Sequence, residues 1–205
     1  MSPTNPLATI GLASGGTVRI YDDRADVSEV RLLPDILEPM SQIGRFGGQI
    51  KWSDAQHIGI GLSFLPRKQW GHWLLHESGE ALGIGDVNFA VKRAFGTRMK
   101  EVEQWVIDGV YERAGLSIVV DPALHDFDRA IGSLEAMARF PRPAWTAMFR
   151  AYDLTPASVI HTAAASCDWQ SGDQEFWKSF LRRMESGLYP TLAVAADILD
   201  LRNLL

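Results

Sequence analysis

From residue 53 onward the chain reads as a succession of helix starts and stops, and this punctuation constrains the fold more than any other feature. Ser53 or Asp54 can cap a helix carrying His57, Ile60 and Phe64, which Pro66 stops. The next helix is expected from about Lys68 to Leu82, with Trp70, Trp73, Leu74 and Leu75 on its apolar side and Gly83 and Gly85 at its end. Thr97 can cap a helix with Val102, Val106, Ile107 and Val110 at helical spacing, ending at Gly115. Asp121-Pro122 is a cap followed by a first-turn proline, and the helix it starts carries Asp128. Past Pro141 and Pro143, Thr155-Pro156, Gly172-Asp173 and Tyr189-Pro190 open three more helices. The first 50 residues differ, being rich in Gly, Pro and Asp. There Thr17 to Tyr21 suits a short strand, and Pro34-Asp35 opens a helix through Ile36, Leu37, Met40 and Ile43 that Gly44 and Gly47-Gly48 end. The class expected is all-α, with a small β-hairpin near the N-terminus.

A chain of 205 residues suits one domain, or one domain with an extension, and can bury a core without disulfides. Net charge is -5 and no Lys/Arg cluster exceeds a pair or triplet, so a basic face for a nucleic-acid polymer is not expected. A free nucleotide needs only one or two cations and is not excluded. Cys167 is the sole cysteine, which rules out an internal disulfide and fits a reducing cytosol. No apolar run approaches the roughly 20 residues that cross a membrane, and Met1 to Pro6 lack the charged and apolar regions of a signal peptide. The expected location is cytoplasmic.

Two histidines and several carboxylates ride on the helical segments. On one continuous helix from Trp73 to Leu82, His76 and Glu80 would share a face and His72 would lie one turn earlier. Glu77, rotated by about 100° from His76, could lean toward the same point. Joined by His57 from the preceding helix and Asp128 from a later one, these residues make a mixed nitrogen and oxygen site. Such donors suit a divalent Mn, Fe, Co, Ni, Zn or Mg ion with positions left for water and substrate. The segment also matches the start of a zinc-protease His-Glu-x-x-His motif, but Glu80 stands where the second histidine would be. His72, His125 and His161 have no partner motif and read as structural, and Trp70, Trp73 and Trp105 are spaced as core residues.

The order of these pieces resembles the HD-domain phosphohydrolases, in particular the 5'-deoxynucleotidase-like and phage-type branch. Asp35 to Ser41, Arg45-Phe46-Gly47-Gly48-Gln49 and Ser53-Asp54-Ala55-Gln56-His57 read like that branch's first helix, arginine motif and first histidine. Leu74-Leu75-His76-Glu77-Ser78-Gly79-Glu80-Ala81 is similar to its Leu-Leu-His-Asp-x-x-Glu-Ala. Gly85-Asp86 with Val91-Lys92-Arg93, and Asp128-Arg129-Ala130 with Glu135, follow in the family's order. The resemblance covers about residues 30 to 140. It implies an HD-type helical bundle over residues 1–140, a helical extension over 141–205 packed on it, and hydrolysis of deoxynucleoside mono- or triphosphates by a metal-activated water. His57, His76, Glu77 and Asp128 would hold the divalent metal, Glu80 and Asp86 would be catalytic, and Arg45 and Lys92 would bind the substrate phosphate.

The sequence departs from the family twice. Glu77 replaces the aspartate, which moves the carboxylate by about 1.5 Å. One extra residue separates Glu80 from Gly85-Asp86. Two alternatives therefore stand beside the enzyme: a degenerate relative that binds a nucleotide or metal without turnover, and a helical interaction module. Either leaves a homo-oligomer open.

Overall fold

A computed structural model of the chain describes residues 5–84 and 97–201. The two expectations on Asp86 and Lys92 lie outside the described residues. Among the described residues the protein is mostly helical, with nine α-helices and one small antiparallel sheet. No described helix is long and apolar enough to cross a membrane. The chain divides into two compact units, Met1–Gln56 with Leu74–Val119 and Thr191–Leu205, and His57–Trp73 with Val120–Pro190. The dividing line passes through two helices, α2 (Asp54–Leu62) and α3 (Trp70–Leu75).

In the first unit the expected hairpin is a three-stranded meander of β1 (Ala8–Gly11), β2 (Thr17–Ile20) and β3 (Ala25–Asp26). Ala8 pairs with Ile20 and Arg19 with Asp26. The meander is tied to the helix that follows by one buried carboxylate. Asp35 accepts from Ser14 N at 2.8 Å, from Ser14 Oγ at 2.7 Å and from Arg31 N at 2.8 Å. Three donors offset the cost of burying that charge. The helix begins as a wide π-type turn, Leu32–Leu37, and continues as α1 (Glu38–Gln42), placing Ile36 and Met40 four apart in the core. α4 (Thr97–Arg113) packs on β3, and its Arg113 Nη1 donates to Val27 O at 2.8 Å. α9 (Leu192–Ile198), capped by Thr191, returns to pack on the Leu32–Leu37 turn.

The second unit is built on α5 (Pro122–Arg139), α6 (Arg142–Ala151), α7 (Pro156–Ser166) and α8 (Asp173–Ser186). Two of the expected start signals act as side-chain caps. Asp121 Oδ1 accepts from Ala123 N at 3.0 Å, and Thr155 and Ser158 form a reciprocal capping box. α7 packs along α5 and also against α8. Phe127, Ile131, Leu134, Phe176 and Phe180 are buried there, as the helical periodicity requires. Phe64, expected on α2, lies beyond that helix's last residue and packs on Phe176 at 4.8 Å between ring centroids.

The helix expected from Lys68 to Leu82 is not continuous. After a 3-10 turn at Arg67–Gln69, α3 ends at Leu75, residues 76–77 form a turn, and a π-type turn spans Glu80–Ile84. Ser78 and Gly79 are weak helix formers next to the break. Gly79 also lies close against α4, where an added Cβ would meet Glu103 Cγ at 3.0 Å. Trp70 and Trp73 are buried as expected, whereas Trp105 is only half-buried with the Arg98 guanidinium 4.7 Å above its ring.

Candidate metal centre

His57 lies on α2 and is fully buried. Its Nε2 is 3.1 Å from Asp128 Oδ1, and its Nδ1 is 2.9 Å from Glu135 Oε1. Asp128 and Glu135 are seven apart on α5, two helical turns, so both project from one face toward the same imidazole. Trp73 closes the other side, its ring centroid 5.0 Å from that of His57. The indole can lie this close because residue 61 of α2 is glycine; a Cβ there would be 2.2 Å from the Trp73 ring. Trp73 Nε1 donates to Ile58 O at 2.8 Å, and Phe127 meets the ring edge-on at 5.2 Å.

His76 and Glu77 lie in the turn that interrupts the expected helix. His76 Nε2 is 3.4 Å from Glu77 Oε1. The same Glu77 oxygen accepts from Arg45 Nη1 at 2.7 Å, and Arg45 Nη1 is 3.6 Å from Asp54 Oδ1. Arg45 is held at the base of a tight loop by its backbone, its N–H donating to Trp52 O at 2.8 Å, beside the Gly44–Ser53 bridge. Gly47 and Gly48 take positive φ in that loop, at 63° and 72°. Ser53 and Gln56 form the cap of α2, with Gln56 Oε1 accepting from Ser53 N at 2.9 Å. Gln56 therefore acts on the helix start.

One ligand atom from each of His57, His76, Glu77 and Asp128 lies within 4.8 Å of the other three. This set suits a cation by the chemistry of its donors, two imidazole nitrogens and two carboxylates. For metal bonds of about 2.1 Å, neighbouring ligand atoms sit roughly 3.0 Å apart across a right angle and roughly 3.4 Å apart in a tetrahedron. The His57–Asp128 distance of 3.1 Å and the His76–Glu77 distance of 3.4 Å fall on those edges. The group can hold a metal ion, and the donors do not by themselves select which one.

The four residues expected from sequence to hold a metal are the ones that form this group. Glu80 is buried beyond the turn and lines a cavity of about 460 Å3 within the first unit, with Glu38, Gln42, Pro34 and Pro39. Arg45 is mostly buried and paired with Glu77. Two residues not named as site residues from the sequence also belong to the surroundings: Glu135, fully buried against His57, and Asp54, fully buried beside Arg45. The i, i+7 spacing of Asp128 and Glu135 was the signal for the first. Asp54 reads as an ordinary helix cap, and only the folded loop brings it to Arg45. His72 is half-buried outside the four-residue group, and His125 and His161 are exposed, the latter 3.1 Å from Asp173.

The molecule is a mostly helical protein with a small meander and a two-histidine, two-carboxylate group able to hold a cation. Compared with protein-family models, curated proteins and solved structures, the chain matches none.

Proposed function

We propose that the chain is an HD-type, metal-dependent phosphohydrolase acting on nucleotides, deoxynucleoside mono- or triphosphates being the substrate class its motifs resemble. The observation that carries this reading is the convergence of His57, His76, Glu77 and Asp128. A divalent ion bound there would supply Lewis acidity toward a phosphoryl oxygen and lower the pKa of a water. The chain's own groups would do the rest. Arg45, whose planar fork offers several donors, would neutralise phosphate charge at the rim of the site. Glu80 would accept or return the proton of the attacking water or leaving group. The cavity beside Glu80 has the volume of a small-ligand site, and its carboxylates and amide suit sugar hydroxyls and base amino groups.

The test is phosphate or triphosphate release from a nucleotide panel with Mn, Co or Mg, for the parent and for His57→Gln and Asp128→Asn. Metal-dependent release lost in both variants is the expected result. No release by the parent with any of these metals would remove the enzyme reading. The close Arg45–Glu77 pair favours a second reading, a protein that binds a metal or nucleotide without turnover, because Glu77 already has a cationic partner. Glu77→Asp separates the two: turnover appearing only in that variant assigns the parent to binding.

A further inference from the structure

The described residues that line the cavity beside Glu80 all belong to the first unit. Two contacts fix its walls. Asp35, next to the lining residue Pro34, accepts from the N–H of Ser14 at 2.8 Å and from its Oγ at 2.7 Å, and Ser14 follows the lining residue Ala13. Gly83, also on the lining, has a φ of 107° and lies against β1, where an added Cβ would be 2.9 Å from Ile10 Cγ2. Pro34, Pro39 and Ile43 give the cavity apolar surface. Its polar groups are the carboxylates of Glu38 and Glu80 and the amide of Gln42, and no cation stands among the described lining residues. That set repels phosphate and suits the uncharged end of a nucleotide. Glu38 and Gln42 are exposed at the mouth, four apart on α1 and so on one face.

We propose that this cavity is the base subsite of the nucleotide and that Glu38 and Gln42 select guanine. The proposal rests on the nucleotide reading above and names the base. An ionised carboxylate is acceptor-only and takes two parallel N–H donors through its two oxygens. Guanine presents such a pair, N1–H beside the N2 amino group, with the O6 acceptor next to them. Glu38 accepts from the pair, and the amide N–H of Gln42 donates to O6. Adenine and cytosine set one amino group beside a bare ring nitrogen, whose lone pair would face the Glu38 carboxylate. Thymine has a single N–H between two carbonyls. Ile43 lines the cavity and Arg45 follows two residues later, within about 7 Å along the backbone. The sugar of a nucleotide bridges such a span, with the base in the cavity and the phosphate toward Arg45.

The experiment titrates the full chain with dGMP, deoxyinosine monophosphate, dAMP, dCMP and dTMP in EDTA, up to millimolar concentration, and follows the backbone amides by NMR. Deoxyinosine monophosphate is the sharpest probe, because it differs from dGMP only in lacking the N2 amino group. The parent is expected to bind dGMP at least about 5-fold more tightly than any of the others, with shifts at Ala13, Ile43 and Ala81. Glu38→Gln, a change at an exposed position, should erase the preference for dGMP over deoxyinosine monophosphate. Equal affinity for those two, a preference unchanged in Glu38→Gln, shifts confined to residues away from the cavity, or no binding of dGMP would each overturn the proposal. The dGMP comparison is made on the parent, so a poorly folding variant does not remove the test. No metal or turnover enters the readout: preferential dGMP binding by a protein that releases no phosphate sustains the base subsite and removes only the enzyme reading. Phosphate release from all bases alike, with no preference in binding, removes the base subsite alone.

Discussion

Gly61→Ala tests the packing that holds His57. The new Cβ would be 2.2 Å from Cε2 and Cζ2 and 2.3 Å from Nε1 of Trp73. Carbon atoms pack at about 3.5–4.0 Å, so the overlap is about 1.5 Å. A rigid indole that is 0% exposed cannot absorb this by changing its tip. Overpacking of this kind costs about 1–3 kcal/mol, and a ring displaced by that distance also loses its bond to Ile58 O, worth about 0.5–1.5 kcal/mol. Alanine returns about 1 kcal/mol through its better helix propensity. Taking the upper part of the overpacking range, the net loss is about 2–3 kcal/mol. For a chain of this length each kcal/mol is about 2–4 °C, so Tm should fall by about 5–10 °C in calorimetry. Zinc affinity should fall as well, because the displaced ring abuts His57. Gly11→Ala, where nothing lies within 4 Å of the new Cβ, should leave Tm nearly unchanged and serves as the control. A Gly61→Ala protein with an unchanged or raised Tm would refute the reasoning, since helix propensity alone gives that result.

Asp121→Ala removes the cap of α5 and should cost about 1 kcal/mol, read as a drop of about 2–4 °C in Tm. Burial pushes the Cys167 thiol up to about 12, so at pH 8 the folded protein should resist iodoacetamide and react only once denatured. The unfolded thiol ionises near 8.5, so its contribution to stability is complete below that pH and is lost as pH rises toward 12; Cys167→Ala should flatten this alkaline decline in urea melts. At the other end of the scale, the hydrogen bonds from Arg19 and Thr17 hold Glu29 below its usual range. Its contribution is present above about pH 4.3 and is lost as pH falls through the lowered value, so Arg19→Met should shrink the stability difference between pH 5 and pH 3. An unchanged difference would mean that the pair is solvent-screened to nothing.

The helices were legible wherever a local group satisfies the backbone. Asp121 and Thr155 accept from N–H groups within three residues, and that chemistry needs no tertiary partner. The break at residues 76–77 was not legible. Leu74 to Leu82 carries an apolar and polar pattern compatible with a continuous helix, and the weak signal of Ser78-Gly79 was outweighed by it. The close fit of Gly79 against α4 is a contact across more than twenty residues. Arg45 shows the same limit. Its type suggests an anion site, but the fold sets its immediate partners as Glu77 and Asp54.

The sequence by itself determined the helical class and the caps at Asp121 and Thr155, and it singled out the four residues that the fold groups, because these depend on side-chain type and local spacing. Only the tertiary structure decided that His76 and Glu77 stand on a turn, that Arg45 neutralises Glu77, and that Glu135 stands behind His57. Those outcomes depend on burial and on distances between residues far apart in the chain. Whether a buried charge finds a partner is settled by packing, which no local pattern encodes.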